Sequence, residues 1–538
     1  MGMLKIPPML FKNSHRSLSI LLPAVLLVSC SGAMDPGAHS NGPSTPAPAE
    51  TVALPLKNTS TPQPTITPTP SPTQVYKIYE QSEAMLPQFS EDVDAHPRLT
   101  RYLIDVHVDF SEDSLEAGIQ GEANIRFTNP TDEDLKDLVL MLWPNQDQYA
   151  STMTAGPVWV DDVQLEPTEE LGGLALRIEL PDAIDSGDAV DIRVPFRINA
   201  EPFDPFSPRR FGTTQGVLIA PTFYPLIPRL VEGEWEVTSP PPGGDTTNSE
   251  VAFYQLHFTY PSDLALAASG VEVDGRVRGG RTEATYVTGP MRDVAFALGP
   301  FKEFSSEVQG VEVNTWLLEE HVLDEPIVAD AAGTTLALLN ELVGAYPYKE
   351  LDVVDAPGAF GGIEYPGLVY IGTVGTPWMI EPTVHEVAHQ WFYGLIGGDQ
   401  IREPWLDEAL ATYAEALYYE REFGYGRSTG FLSQLRAAVR DGAHPTWPIG
   451  LDVGEFESSK DYGDIVYHKG ALFIDALRRH LGDEVFFRFM HDYYVEFRYD
   501  VATTRDFQVS AEEACDCDLD ALFNLWVHEG GEIADLSR

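Results

Sequence analysis

The segment Val384-His385-Glu386-Val387-Ala388-His389-Gln390 carries residue types whose spacing could do chemistry. On a helix, positions i and i+4 lie one above the other. The imidazoles of His385 and His389 can then reach one Zn²⁺ at about 2.0–2.1 Å each. Glu386, next to the first histidine, is placed to take a proton from water on the metal. Glu408 follows nineteen positions after His389, in Trp405-Leu406-Asp407-Glu408-Ala409. Two histidines and a carboxylate leave a fourth zinc position open, as catalysis requires, whereas a closed structural site would normally use cysteines. A five-residue motif also arises by chance, and the plain alternative is a helix with two surface histidines.

Three further segments weigh against that alternative. Glu415, two helical turns beyond Glu408, either orients a ligand from behind or is a solvated surface glutamate. Ile465-Val466-Tyr467-His468-Lys469-Gly470 opens another helical run. A Tyr467 hydroxyl near the metal can stabilise the oxyanion of a tetrahedral intermediate, although most tyrosines only pack. Gly361-Gly362-Ile363-Glu364-Tyr365-Pro366 precedes the first histidine by about twenty residues. Glycines there let backbone approach a ligand closely, and the natural partner of Glu364 is a substrate ammonium group. The alternative is a turn between two strands with an exposed glutamate.

Together these segments resemble the aminopeptidase N family of gluzincins, which includes leukotriene hydrolase-type enzymes. The resemblance runs from about residue 99 to the C-terminus and is strongest over 361–470. It implies His385, His389 and Glu408 as ligands of one Zn²⁺ per chain, Glu386 as general base and Tyr467 as the residue stabilising the transition state. It puts Glu364, with Gly361 and Gly362 before it, on the motif that binds the free α-amine of a peptide substrate. The implied fold is an N-terminal antiparallel β-sandwich-like domain followed by a thermolysin-like, α-rich catalytic domain. Ile363 and Tyr365 depart from the family's Met and Asn, so the edge of the first subsite differs. The sequence stops soon after Leu525-Trp526-Val527-His528, and the expectation is a short form without the family's large helical C-terminal domain. Alternatives to an aminopeptidase are an endopeptidase with the same metal site and an inactive peptidase-like binding lipoprotein.

The surrounding pattern must position these groups. Tyr102, Ile104, Val106, Val108 and Phe110 alternate with mostly polar residues, as do Ile119, Ala123, Ile125 and Phe127, which marks half-buried strands. Further strands are expected over 189–198, 251–260, 282–287, 311–318, 351–354 and 368–371, a helix over 328–343, and mainly helix after Met379. Gly394, Gly397 and Gly398 are expected to end the zinc helix. This divides the folded part into a β domain over 97–305 and a catalytic domain over 306–538.

Of the 538 residues 43% are hydrophobic, enough for a large core, and 83 acidic against 34 basic residues give a formal charge of −49. Such a surface repels nucleic acid, so no nucleic-acid partner is expected. Lys5, Lys12 and Arg16 precede a mostly apolar run over 18–28 and then Ser29-Cys30. The run is too short for a comfortable membrane span. It resembles a bacterial lipobox, which implies an exported lipoprotein anchored through Cys30 and held outside the cytoplasm. Residues 31–90, rich in Pro, Ser and Thr, are expected to be a disordered linker. Cys515 and Cys517, one residue apart, are read as structural or at most as a local disulfide.

Overall fold

Alternation builds the first half. In Thr100–Asp109 the side chains of Tyr102, Ile104, Val106 and Val108 are buried, and the intervening ones are half-buried or exposed. Ala117–Thr128 repeats the pattern and pairs antiparallel with it. In this computed structural model, residues 79–111, 116–241, 247–373 and 379–533 are described. The proposed signal at 1–30, with Cys30, lies outside them.

The largest sheet runs in the order Val271–Arg278, Arg281–Val287, Ala252–Pro261, Thr100–Asp109, Ala117–Thr128, Ala189–Ala200, Val158–Val160, Val163–Leu165. It is not wholly antiparallel as expected, because Thr100–Asp109 lies parallel to Ala252–Pro261. Period-two burial fixes which face of a strand is inside but not the direction of its neighbour. A smaller sheet of Gly212–Thr214, Val217–Pro221, Ala295–Gly299 and Ala265–Ala268 completes the β-rich region with Leu135–Met141, Ala175–Ile184 and Thr168–Glu170.

Two boundaries shift. The linker expected to reach residue 90 ends earlier, since from Tyr79 onward the chain is folded. Gln81–Ala84 and Pro87–Phe89 are short 3₁₀ turns, Met85 is 1% exposed, and the Leu86 N–H donates to Pro347 O at 2.8 Å. The apolar pair Met85-Leu86 has surface to bury, which the Pro/Thr tract does not. The division at 305/306 also falls inside a strand. Lys302–Val308 opens a sheet that continues through Val311–Leu317, Glu350–Ala356, Leu368–Gly372 and Gly362–Ile363.

This last sheet carries the site. Val311–Leu317, Glu350–Ala356 and Leu368–Gly372 are parallel, with helix Glu325–Leu342 as the first crossover, and Gly362–Ile363 returns antiparallel at the edge. Helix Ile380–Ala388 packs against those two last strands. Beyond it the chain is mainly helical: Trp405–Phe423, Tyr425–Asp441, Gly470–Leu481, Asp483–Phe497 and Thr504–Cys515. Cys515 and Cys517 are disulfide-bonded.

One side chain joins the two halves. Arg292, 1% exposed, reaches from the β-rich region and donates Nε–H to Tyr393 O at 2.9 Å and an Nη2 hydrogen to Asp500 O, while Nη1 serves Ser249 O at 3.2 Å. Gly397 lies flat against the guanidinium, where a Cβ would come within 2.2 Å of Cζ.

Candidate active site

Helix Ile380–Ala388 presents His385 and Glu386 from its last turn, and His389 is its C-terminal cap. The helix therefore stops before the glycines expected to end it. The Gly394 and Leu395 N–H groups fold back onto the carbonyls of His389 and Gln390 at 2.9 and 3.1 Å, closing the end with irregular backbone instead. Gln390 turns away from the site. Its amide accepts from Gly367 N–H at 2.8 Å and donates to Tyr365 O at 3.2 Å, which pins the Glu364 segment to the helix end.

Helix Trp405–Phe423 is buried along its first fifteen residues. Its alanines let neighbours close in: a Cβ on Gly470 would lie 2.5 Å from Ala409 Cβ. That approach explains the glycine of the Tyr-His-Lys-Gly segment. It also sets Tyr467 beside Glu408, to whose Oε1 the Tyr467 hydroxyl donates. Tyr467 lies in a π-helical turn, Gly463–Lys469, a feature that sequence periodicity does not show and that is common at functional sites. Lys469, whose burial pushes its amine down to about 8, donates to Pro445 O at 2.9 Å and to Trp447 O.

His385 Nε2, His389 Nε2 and Glu408 Oε2 converge. The nitrogens are 3.1 Å apart, and each lies 3.1–3.2 Å from the oxygen. The other ring nitrogens are committed, His389 Nδ1–H to Phe392 O at 2.9 Å and His385 Nδ1–H to Glu415 Oε1 at 3.1 Å. A carbonyl and a carboxylate only accept, so both Nδ1 atoms carry hydrogens and both neutral Nε2 atoms offer lone pairs to the same point. Three such groups facing one another are held together by a metal ion or, without one, by protons on the imidazoles. Ligands around a tetrahedral zinc at 2.0–2.1 Å stand about 3.3 Å apart, so the donor set fits. Glu415 is 7% exposed, which settles its alternatives in favour of the buried orienting partner.

The electrostatics agree. Burial disfavours charge on His389, yet Glu364 and Glu408 outweigh it and lift the imidazole to about 9. His385 likewise rises well above its ordinary value against burial, through Glu408 and Glu415. Burial would raise the Glu408 carboxyl, but the two histidines hold it well below the usual range. The pocket thus demands positive charge. Burial pushes Glu386 up to about 8, opposed by His385 and His389. A general base works best with a pKa near the working pH.

Glu364 is 3% exposed, so the exposed-turn alternative falls. Gly361 has φ +81°, a left-handed conformation glycine adopts freely. Gly362 runs directly against Glu386, where a Cβ would sit 2.2 Å from its Oε1. The sequence-expected residues His385, Glu386, His389, Glu408, Tyr467 and Glu364 therefore all gather here. Sequence reasoning missed Asp407 and Gln400. Gln400 Nε2 donates to Glu364 Oε1 at 3.0 Å and to Asp407 Oδ2 at 3.2 Å. Asp407 stood next to a proposed ligand, which was the available signal; nothing in spacing marked Gln400. His321 and His468 pair with Asp355 at 2.7 Å and with Asp464 at 3.4 Å.

Residues 376–526 match the Peptidase family M1 domain. Aminopeptidase M1-B of Oryza sativa subsp. japonica is 26% identical over 301 residues, 52% of this chain and 34% of the rice protein. Aminopeptidase 2 of Candida albicans is 25% identical over 278 residues, 47% of this chain and 30% of that protein. The chain thus spans about a third of the length of the curated relatives it matches. Among solved structures, an M1 zinc metallopeptidase from Deinococcus radiodurans superposes with TM-score 0.62 at 18% identity, over 81% of this chain and 95% of that one. A variant of that protein bound to a Tyr-Ser-Ala substrate gives TM-score 0.60. At this identity the likeness is one of fold, a two-part arrangement of β-rich region and helical part. The segment that holds His385, Glu386, His389, Glu408 and Tyr467 thus matches the peptidase family M1 domain, and the chain is similar to M1 aminopeptidases in sequence and to an M1 zinc metallopeptidase in fold.

Proposed function

We propose that this chain is a zinc-dependent aminopeptidase that removes N-terminal residues from peptides. The carrying observation is the meeting of two imidazole Nε2 atoms and one carboxylate oxygen within 3.1–3.2 Å of one another. His385, His389 and Glu408 would hold one zinc per chain, which supplies Lewis acidity toward the scissile carbonyl and lowers the pKa of water.

The protein's own groups do the rest. Glu386, backed by Gly362, accepts a proton from the attacking water and delivers it to the leaving amine. The Tyr467 hydroxyl, already aimed at the site, donates to the oxyanion as it develops. Glu364 holds the substrate ammonium, and Gly361 and Gly362 let the peptide backbone lie close. The catalytic unit in this reading is the thermolysin-like part from Lys302 onward, under a β-sandwich-like region. Cleavage of a free peptide should exceed that of its N-acetylated form by at least tenfold, and a chelator should abolish both. Equal rates on the two peptides would turn the reading to an endopeptidase.

The proposal includes an address: residues 1–30 as a lipoprotein signal, with Cys30 as the lipid-anchored residue outside the cytoplasm. Among the described residues no helix is long and apolar enough to cross a membrane. Radiolabelled palmitate should be incorporated into the wild-type protein and absent from Cys30→Ser. Label retained in that variant would end the idea.

A further inference from the structure

Glu364, Gln400 and Asp407 form a chain of buried groups. Both Nε2 hydrogens of Gln400 are used, one on each carboxylate, and a primary amide has only two to give. Asp407 Oδ1 accepts from the Glu408 backbone N–H at 2.7 Å. The Gln400 backbone is fixed as well: its N–H donates to Asn248 Oδ1 at 3.2 Å, and Asn248 Nδ2 donates to Asp399 Oδ1 at 3.2 Å. Glu364 and Gln400, with Gln146, Tyr149, Tyr365 and Tyr393, line a cavity of about 20 Å³. That is room for roughly one or two water-sized groups, enough for an ammonium.

We infer that Gln400 is a positioning residue for the substrate's α-amine. It holds one oxygen of Glu364 and leaves the other for the ammonium. Through Asp407 it ties that anchor to the first turn of the helix bearing Glu408, and through Asn248 to the β-rich region. The distance from ammonium to metal site is thereby fixed, so that the bond presented for cleavage is the first one. Two carboxylates buried this closely repel each other, and a neutral side chain that donates to both is what holds them together. The inference rests on the amine-anchor reading of Glu364.

The test is Gln400→Met, which keeps the length and removes both donors. With a free-amine peptide, KM should rise about tenfold or more, the loss expected when a hydrogen bond to a charged group is removed, and kcat should change less. Zinc content should stay at the wild-type value, and the rate on the N-acetylated peptide should fall less than that on the free-amine peptide. Gln400→His, which keeps an N–H, should recover part of the loss, and Asn248→Ala should shift KM in the same direction by less. Glu364→Ala is run alongside. If Glu364→Ala keeps the preference for a free amine, the anchor reading itself fails. If Glu364→Ala abolishes the preference but Gln400→Met stays within twofold of wild-type KM, the inference about Gln400 is overturned and the anchor stands. Loss of zinc, or an equal fall on the acetylated peptide, would make Gln400 part of the metal scaffold and would also overturn it. Should Gln400→Met not fold, Gln400→His and Asn248→Ala decide by the same KM criterion.

Discussion

Glu386→Gln should retain zinc and lose about 10²–10⁴-fold in kcat, the usual contribution of a positioned general base. The substitution keeps the shape of a side chain that lies against Gly362 and is 2% exposed, so packing should hold. It leaves His385 Nε2, His389 Nε2 and Glu408 Oε2 untouched. What it removes is the basic oxygen, because an amide cannot take the proton. Metal analysis beside steady-state kinetics checks this. A variant with full metal and full turnover would mean that the proton goes elsewhere, and the mechanism would be wrong.

Glu408→Ala should lose zinc and with it essentially all turnover, and chelation of the wild type should show what the empty site prefers. With no cation, protons have to meet the pocket's demand for positive charge. His389 rises from 6.5 to about 9, Glu386 from 4.5 to about 8 and Asp407 from 3.8 to about 8, the carboxyls chiefly through burial and His389 because Glu364 and Glu408 overcome it. Each folded-state value lies above the unfolded one. The folded chain therefore binds more protons, and its stability falls as pH rises through those values. The chelated protein should melt progressively lower as pH rises from about 4 to 9, the carboxyls acting from about pH 4 and His389 adding to them above about 6.5, with roughly 2–4 °C for each kcal/mol lost in a domain of 150–250 residues. Zinc competes with the same protons, so the gap in melting temperature between loaded and chelated protein should widen over that range. A gap that is flat or narrows with pH, followed by calorimetry, would contradict the assignment of these groups.

Much of the site was legible because helical spacing is rigid. Two histidines four apart on a helix must share a face, and a glutamate on a second buried helix has few other reasons to be there. The strands were legible from period-two burial, which Tyr102, Ile104, Val106 and Val108 follow. Three kinds of feature were not. Strand direction leaves no periodic trace, hence the unexpected parallel pair. Irregular backbone has no period, which hid the π turn at Tyr467 and the early end of the zinc helix at His389. Long-range polar bridges are set by where loops fold, so Gln400, 36 residues from Glu364, carried no local mark.

Arg292 has a consequence for how this architecture can be taken apart. Its guanidinium donates to the carbonyl of buried Tyr393 and to that of exposed Asp500, and Tyr393 follows directly on Phe392, whose own carbonyl orients His389. Without the β-rich half Tyr393 O would lose its Arg292 donor, at about 1–3 kcal/mol if it stays buried, while Asp500 O would keep the Gly397 N–H at 2.9 Å. The histidine motif is local, but the packing behind it is not: truncation at the seam between the halves would take Arg292 away from the backbone beside Phe392 and His389.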